Sequence, residues 1–239
     1  DLLISVTSFF RDPEAYHILE SQVLPTLIQA KDNETPLRVW ISGCATGEEA
    51  YSLAMLLIEQ LVAAQKSCRL QIFATDVDED ALETARQGVY PESIAADVSP
   101  VRLAKFFTRA DDYSYRVNKQ LREVVTFASQ NLIGDAPFSR LDLISCRNLL
   151  IYLYRNVQTK GFSLMHFALS EGGYLLLGPS ETIGQQVDLF EPVSKKWRVY
   201  RRIGPNRPDR VDFPIAAARD QKDLGRRLAE TSSTRPAGF

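Results

Sequence analysis

Metal-ligating side chains are the first thing this chain lacks. Its 239 residues include two histidines, His17 and His166, far apart and without a neighbouring cysteine or carboxylate pattern, so no metal is expected. Cysteine is scarce as well: Cys44, Cys68 and Cys146 are odd in number and scattered, which argues against a disulfide framework and for reduced thiols in a cytosolic compartment. Charge of one sign is missing, because 28 Lys and Arg nearly cancel 30 Asp and Glu. No global field draws the chain to nucleic acid or an anionic membrane, and neither is expected as a partner. No apolar run approaches the roughly 18 residues of a transmembrane helix, and no charged-then-apolar leader opens the chain. A soluble, cytoplasmic protein without membrane insertion is expected. The sequence starts at Asp1 and turns rich in Pro, Arg and Asp after about Arg202, so it reads as part of a longer polypeptide, with 203–239 as a disordered, linker-like tail.

What is present is an alternation of strands and helices. Apolar residues recur at helical spacing over 14–31, with Pro25 as a kink. A strand at 37–42 runs into Gly43-Cys44-Ala45-Thr46-Gly47 and a helix from Glu48, which is the opening half of a nucleotide-binding βαβ unit. A second strand, 70–75, ends at Asp76; Asp78 caps the next helix and Gly88 stops it. The pattern weakens over 90–122, read as an insertion with one small strand at 113–117 and a β-subdomain at about 109–123. Strands at 124–128, 141–145, 172–178 and 196–201 complete a doubly wound, mostly parallel α/β sheet with an antiparallel edge pair, within a domain spanning 1–202.

In such sheets a ligand lies beyond the carboxyl ends of the strands. The loop from Gly43 to Gly47 lets backbone pass close to a ligand, but its spacing is not the dinucleotide fingerprint, and Glu48-Glu49 at the helix start would repel a pyrophosphate. Acidic residues there suit a cationic ligand without phosphates, and Asp76 is placed to accept from ribose hydroxyls. Together they point to a nucleoside such as S-adenosylmethionine (SAM); the plainer alternative is that the glutamates complement the helix dipole and Asp76 is a cap. Asn131-Leu132 could cover an adenine, although an Asn after a strand is commonly a turn residue. In Thr7-Ser8-Phe9-Phe10-Arg11-Asp12 the aromatics read as a plug, with Asp12 as a helix cap. The run Cys146-Arg147-Asn148-Leu149-Leu150-Ile151-Tyr152 resists a structural account best, since a strand end rarely needs four polar side chains and a buried Arg needs a partner.

Six motifs in order, Thr7-x-Phe9-Phe10-Arg11, Trp40-x-x-Gly43-Cys44-x-Thr46-Gly47-Glu48-Glu49-x-Tyr51-Ser52, Ala74-Thr75-Asp76-x-Asp78, Asn131-Leu132, Cys146-Arg147-Asn148-x-Leu150-Ile151-Tyr152 and Gly172-Gly173-Tyr174-x-x-x-Gly178-x-Ser180-Glu181, closely resemble the CheR-type protein-glutamate O-methyltransferases of bacterial chemotaxis. The resemblance implies the class I SAM-dependent methyltransferase fold and an enzyme that esterifies glutamates on the cytoplasmic helices of chemoreceptors, releasing S-adenosylhomocysteine. It implies that Thr7, Arg11 and Gly43 approach the cofactor, Glu48 holds its amino group, Asp76 its ribose and Asn131 and Leu132 its adenine. Cys146 and Arg147 would line the pocket, and Arg11 and Tyr152 would flank the reacting methyl group. The segments around 135–148 and 189–197 resemble the branch fused to a methylesterase domain and sensory modules, so covalently linked signalling domains are expected. The insertion is short and lacks the glycine-rich loop of members that grip a receptor tail. Two alternatives stay open: a methyltransferase with another substrate, and a non-catalytic SAM-binding docking module.

Overall fold

The computed structural model describes residues 7–205; the expected tail lies largely outside them. Helix α1 (Pro13–Ile18) passes through a π-helical turn (Leu19–Val23) into α2 (Leu24–Ala30). The widened turn falls just ahead of Pro25, whose ring cannot supply the N–H of a regular helix, so the kink takes this form. Strand β1 (Leu37–Ser42), helix α3 (Glu48–Ala63), strand β2 (Leu70–Asp76) and helix α4 (Glu79–Gln87) follow where the sequence places them. Asp78 caps α4 by accepting from the amides of Asp80 and Ala81 at 3.0 and 3.1 Å, and Gly88 ends it at φ 60°.

The insertion is larger than its sequence suggests. It holds β3 (Val89–Pro91), a 3-10 turn (Glu92–Ala96), α5 (Pro100–Phe106), β4 (Phe107–Asp111) and β5 (Ser114–Val117), with the strands in an antiparallel sheet ordered β3-β5-β4. The subdomain therefore begins near Val89, not at 109. Three residues are too few to show alternation, and β4 buries only Phe107, so neither strand carries a readable two-residue period.

After α6 (Lys119–Val124) come β6 (Val125–Ser129), β7 (Leu141–Cys146), α7 (Arg155–Ala168), β8 (Leu169–Leu177), β9 (Phe190–Ser194) and β10 (Val199–Arg202). The main sheet runs β6-β2-β1-β7-β8-β10-β9; β10 is antiparallel to both its neighbours, and β6, β2, β1, β7 and β8 pair in parallel. The doubly wound sheet is as expected. The antiparallel edge pair includes β9, which contains Pro192 and has no strand signature, because a missing N–H is tolerated only at an edge. Alternation along β1 sends Val39 and Ile41 into one core, beneath α2 and α3, and Trp40 into a second, with Ile144, Leu175 and Met165. β1 lies between β2 and β7, so the strand order reverses there and the loops after β1 and β7 part to open a crevice.

Candidate active site

That crevice is a cleft of about 270 Å³. One side is built by Thr7 and Arg11, by Gly43, Cys44 and Ala45 after β1, and by Glu49 in the first turn of α3; Arg147, Asn148, Ile151 and Tyr152 after β7 form the other. The sequence expectation thus has Thr7, Arg11, Gly43, Arg147 and Tyr152 around one space. The loop after β1 is fixed by the Thr75 carbonyl, which accepts from the amides of Gly43 and Cys44 at 2.8 and 3.0 Å. Ala45 adopts φ 45° and donates its amide to Asp76 Oδ2 at 2.8 Å, while Asp76 Oδ1 accepts from Val77 and Asp78. Asp76 is therefore held at the carboxyl end of β2, beside the loop.

The acidic pair divides. Successive helical residues point about 100° apart, so Glu48 and Glu49 cannot share one target. Glu48 accepts from the Thr46 hydroxyl at 2.7 Å, on the side of Tyr90, and does not line the cleft; burial raises its pKa against the lowering effect of Thr46. Glu49 does line it, with one oxygen accepting from Ser145 Oγ at 2.5 Å and the other 3.4 Å from Arg147 Nη1. The carboxylate facing the cleft is thus Glu49, where Glu48 was expected. A signal for this existed in β7: Ser145 shares a strand face with Leu143 toward α3, and a buried hydroxyl there calls for a polar partner on that helix.

Arg147, whose side chain is 1% exposed, ties the two walls together. Its Nη2 donates to Asp12 Oδ2 at 2.6 Å and to the Arg11 carbonyl at 2.9 Å. Burial works against its charge, but Glu49, Tyr16 and Asp12 outweigh this and hold its pKa above the arginine value. Asp12 does not cap α1 as expected; no side-chain bond reaches the helix, and the carboxylate serves Arg147. Phe10 and Asp12 both have left-handed backbones, at φ 50° and 60°, so Arg11 is thrust out between them while Phe10 N–H is anchored on Ser52 Oγ at 3.0 Å. Phe9 packs edge-on against Tyr90 and Phe107 of the insertion, which makes the aromatic pair the plug expected.

Three expected residues lie elsewhere. Cys146 is fully buried, on the face of β7 shared with Ile144 and opposite Ser145, so its side chain belongs to the second core and the cysteine in the cleft is Cys44. Burial raises both thiol pKa values, with Asp76 adding at Cys44 and Glu181 at Cys146. Asn131 Oδ1 accepts from the amides of Ile133 and Gly134, each at 3.0 Å, as a turn residue does, and Leu132 is buried in the second core. Both follow β6, whose end is joined to β2 by the Gln130 amide on the Asp76 carbonyl at 3.0 Å. They extend the carboxyl edge of the sheet beyond Asp76 and outside the cleft itself.

The polar groups at the cleft are the Glu49 carboxylate, Arg11, backbone amides and a buried arginine paired with acids, with the Asp76 carboxylate beside the loop after β1 and no lysine or phosphate cradle. They fit a ligand with an ammonium and hydroxyls, which SAM has.

The model of the CheR methyltransferase SAM-binding domain matches residues 5–199. An uncharacterized 104.1 kDa protein from the hypE 3′ region of Rhodobacter capsulatus is 42% identical over 86% of this chain and 21% of its own length. Chemotaxis protein methyltransferase 1 of Pseudomonas aeruginosa is 34% identical over 78% of this chain and 69% of its own. The chemotaxis protein methyltransferase of Borreliella burgdorferi is 33% identical, over 74% and 64% respectively. This chain thus spans about a fifth of the first relative and about two thirds of the other two. With the family match over most of its length, the chain belongs to the CheR methyltransferase family and corresponds to its SAM-binding domain.

Proposed function

We propose that this domain transfers the methyl group of SAM to glutamate side chains of chemoreceptor-like proteins, forming methyl esters. The observation that carries the reading is one cleft lined at once by an acid suited to an ammonium, Glu49, and by Arg11 and Tyr152. In this reading Glu49 holds the cofactor amino group, Asp76 its ribose, and Asn131 and Leu132 its adenine along the edge of β2 and β6. Asn131 must then offer its Nδ2, since its Oδ1 is committed to the turn.

SAM supplies an electrophilic methyl carbon, which a glutamate oxygen attacks as the carbon–sulfur bond breaks and sulfur leaves with the electron pair as a neutral thioether. A glutamate is ionised at neutral pH, with an ordinary pKa of about 4.3, so the protein needs no strong general base. Its task is alignment, a source of up to about 7 to 11 kcal/mol of rate acceleration. Arg11 orients the attacking carboxylate, and Tyr152 limits its approach from the opposite lip. Ile151 and Tyr154, 46% and 84% exposed beside Tyr152, offer apolar footing for a receptor helix. Covalently linked signalling domains are part of the same proposal; its support is that the Rhodobacter relative, of which the chain spans 21%, is a larger protein.

Incubation with methyl-tritiated SAM and receptor-containing membranes tests the reading. Label that base treatment releases as volatile methanol is expected; base-stable label, or none, would contradict it.

A further inference from the structure

The motif ending in Glu181, beyond β8, has no part in the chemistry above, yet Glu181 is only 3% exposed. A carboxylate brought inside needs donors on its oxygens. All of them here are backbone amides: Oε2 accepts from Gly178 at 2.7 Å and Asn148 at 2.9 Å, and Oε1 from Leu150 at 2.7 Å. Two of the three belong to the segment that ends in Tyr152. Gly178 makes the approach possible, since a Cβ there would lie 2.8 Å from Glu181 Oε2 and 2.9 Å from the Asn148 nitrogen.

The segment needs holding. Asn148 has a left-handed backbone at φ 58°, and Tyr152 is 53% exposed, so packing alone does not fix it. Its place is set by the 3-10 turn Leu150–Tyr152, which Glu181 grips from the amide side while Gln158 Nε2 donates to the carbonyls of Leu150 and Leu153 at 2.9 and 3.0 Å. We propose that Glu181 is a positioning residue for methyl transfer: through the amides of Asn148 and Leu150, its carboxylate fixes the turn that presents Tyr152 to the cleft. The inference deepens the function proposed above and rests on Tyr152 facing the reacting group. Glutamine cannot replace it, because its NH2 would meet an amide N–H, donor against donor, and aspartate falls one methylene short.

The test compares wild type, Glu181→Gln, Glu181→Asp, Tyr152→Phe and the double variant Glu181→Gln/Tyr152→Phe in the full chain. Four quantities are read: melting temperature, S-adenosylhomocysteine affinity by calorimetry, kcat and KM for methyl transfer, and amide hydrogen exchange over 147–153. Both Glu181 variants should speed exchange in that segment and lower kcat on the order of ten- to a hundredfold. Nucleoside affinity and the KM for SAM should stay within about threefold. On the Tyr152→Phe background, Glu181→Gln should cost less than about twofold further, because both changes act on one group. Unchanged exchange, affinity falling in step with kcat, or losses that multiply in the double variant would each overturn the proposal. If Glu181→Gln does not fold, Glu181→Asp carries the same comparison. Wild-type protein that binds the nucleoside but methylates no receptor would instead sink the functional reading, while exchange still decides whether Glu181 holds the turn.

Discussion

Arg11 and Glu48 show how neighbouring backbone decides what a polar residue does. Arg11 projects from a loop pinned on both sides, by Ser52 at Phe10 and by Arg147 at Asp12. Arg11→Ala should therefore leave the loop in place, lowering kcat by about a hundredfold while S-adenosylhomocysteine affinity moves by less than about threefold; equal losses would place Arg11 with the cofactor alone. Glu48 is instead a partly buried acid whose pKa burial lifts above the ordinary 4.5. The folded state then binds its proton more tightly than the unfolded state does, so the wild type loses stability as pH rises from about 4 through that raised value. Glu48→Gln cannot ionise, and its stability advantage over wild type should widen over the same interval; denaturant melts at stepped pH would show a constant difference if the burial were wrong. The motif read from sequence contained both glutamates, but a string of letters does not say which of two adjacent side chains faces the crevice. The rotation of α3 relative to Ser145 on β7 makes that choice, and the buried hydroxyl of Ser145 was the one hint of it in the sequence.

Elements with a strong period were readable, and those shaped by their neighbours were not. β1, α3, β2 and α4 combine unbroken apolar patterns with caps at Asp78 and Gly88, so local chemistry and fold agree. β3, β4 and β9 become strands only because a partner strand is there: one is three residues long, one is mostly exposed and one contains Pro192. The core placement of the Cys146 side chain was hidden for a related reason, since only the two-residue alternation of β7 assigns Ser145 and Cys146 to opposite faces. The turn into α3 depends on Gly47, at φ 94°, where a Cβ would lie 2.8 Å from the Ala85 Cβ. Gly47→Ala should cost about 1 to 2 kcal/mol from the left-handed backbone alone, with the forced separation of α3 from α4 in addition. A thermal midpoint equal to wild type would show that the turn can relax without loss.

Across the molecule, one buried cation joins the walls of the cleft through bonds that span 98 to 136 residues of sequence. Arg147 carries Asp12, the Arg11 carbonyl and Glu49. Arg147→Ala strands two acids around an empty volume and should lower the unfolding free energy by about 3 to 5 kcal/mol, read from urea melts; a change under about 1 kcal/mol would mean that water replaces the guanidinium. The same bridge fixes Glu49 at the cleft, because Arg147 and Ser145 hold its two oxygens in place. The central claim is that Glu49, not its neighbour, meets the cationic end of a phosphate-free nucleoside. Calorimetric titration of S-adenosylhomocysteine into wild type, Glu49→Gln and Glu48→Gln tests it most directly. The account expects one site per chain, weakened at least about tenfold in Glu49→Gln and changed by less than about threefold in Glu48→Gln. No heat from the wild type, or the larger loss falling on Glu48→Gln, would contradict it.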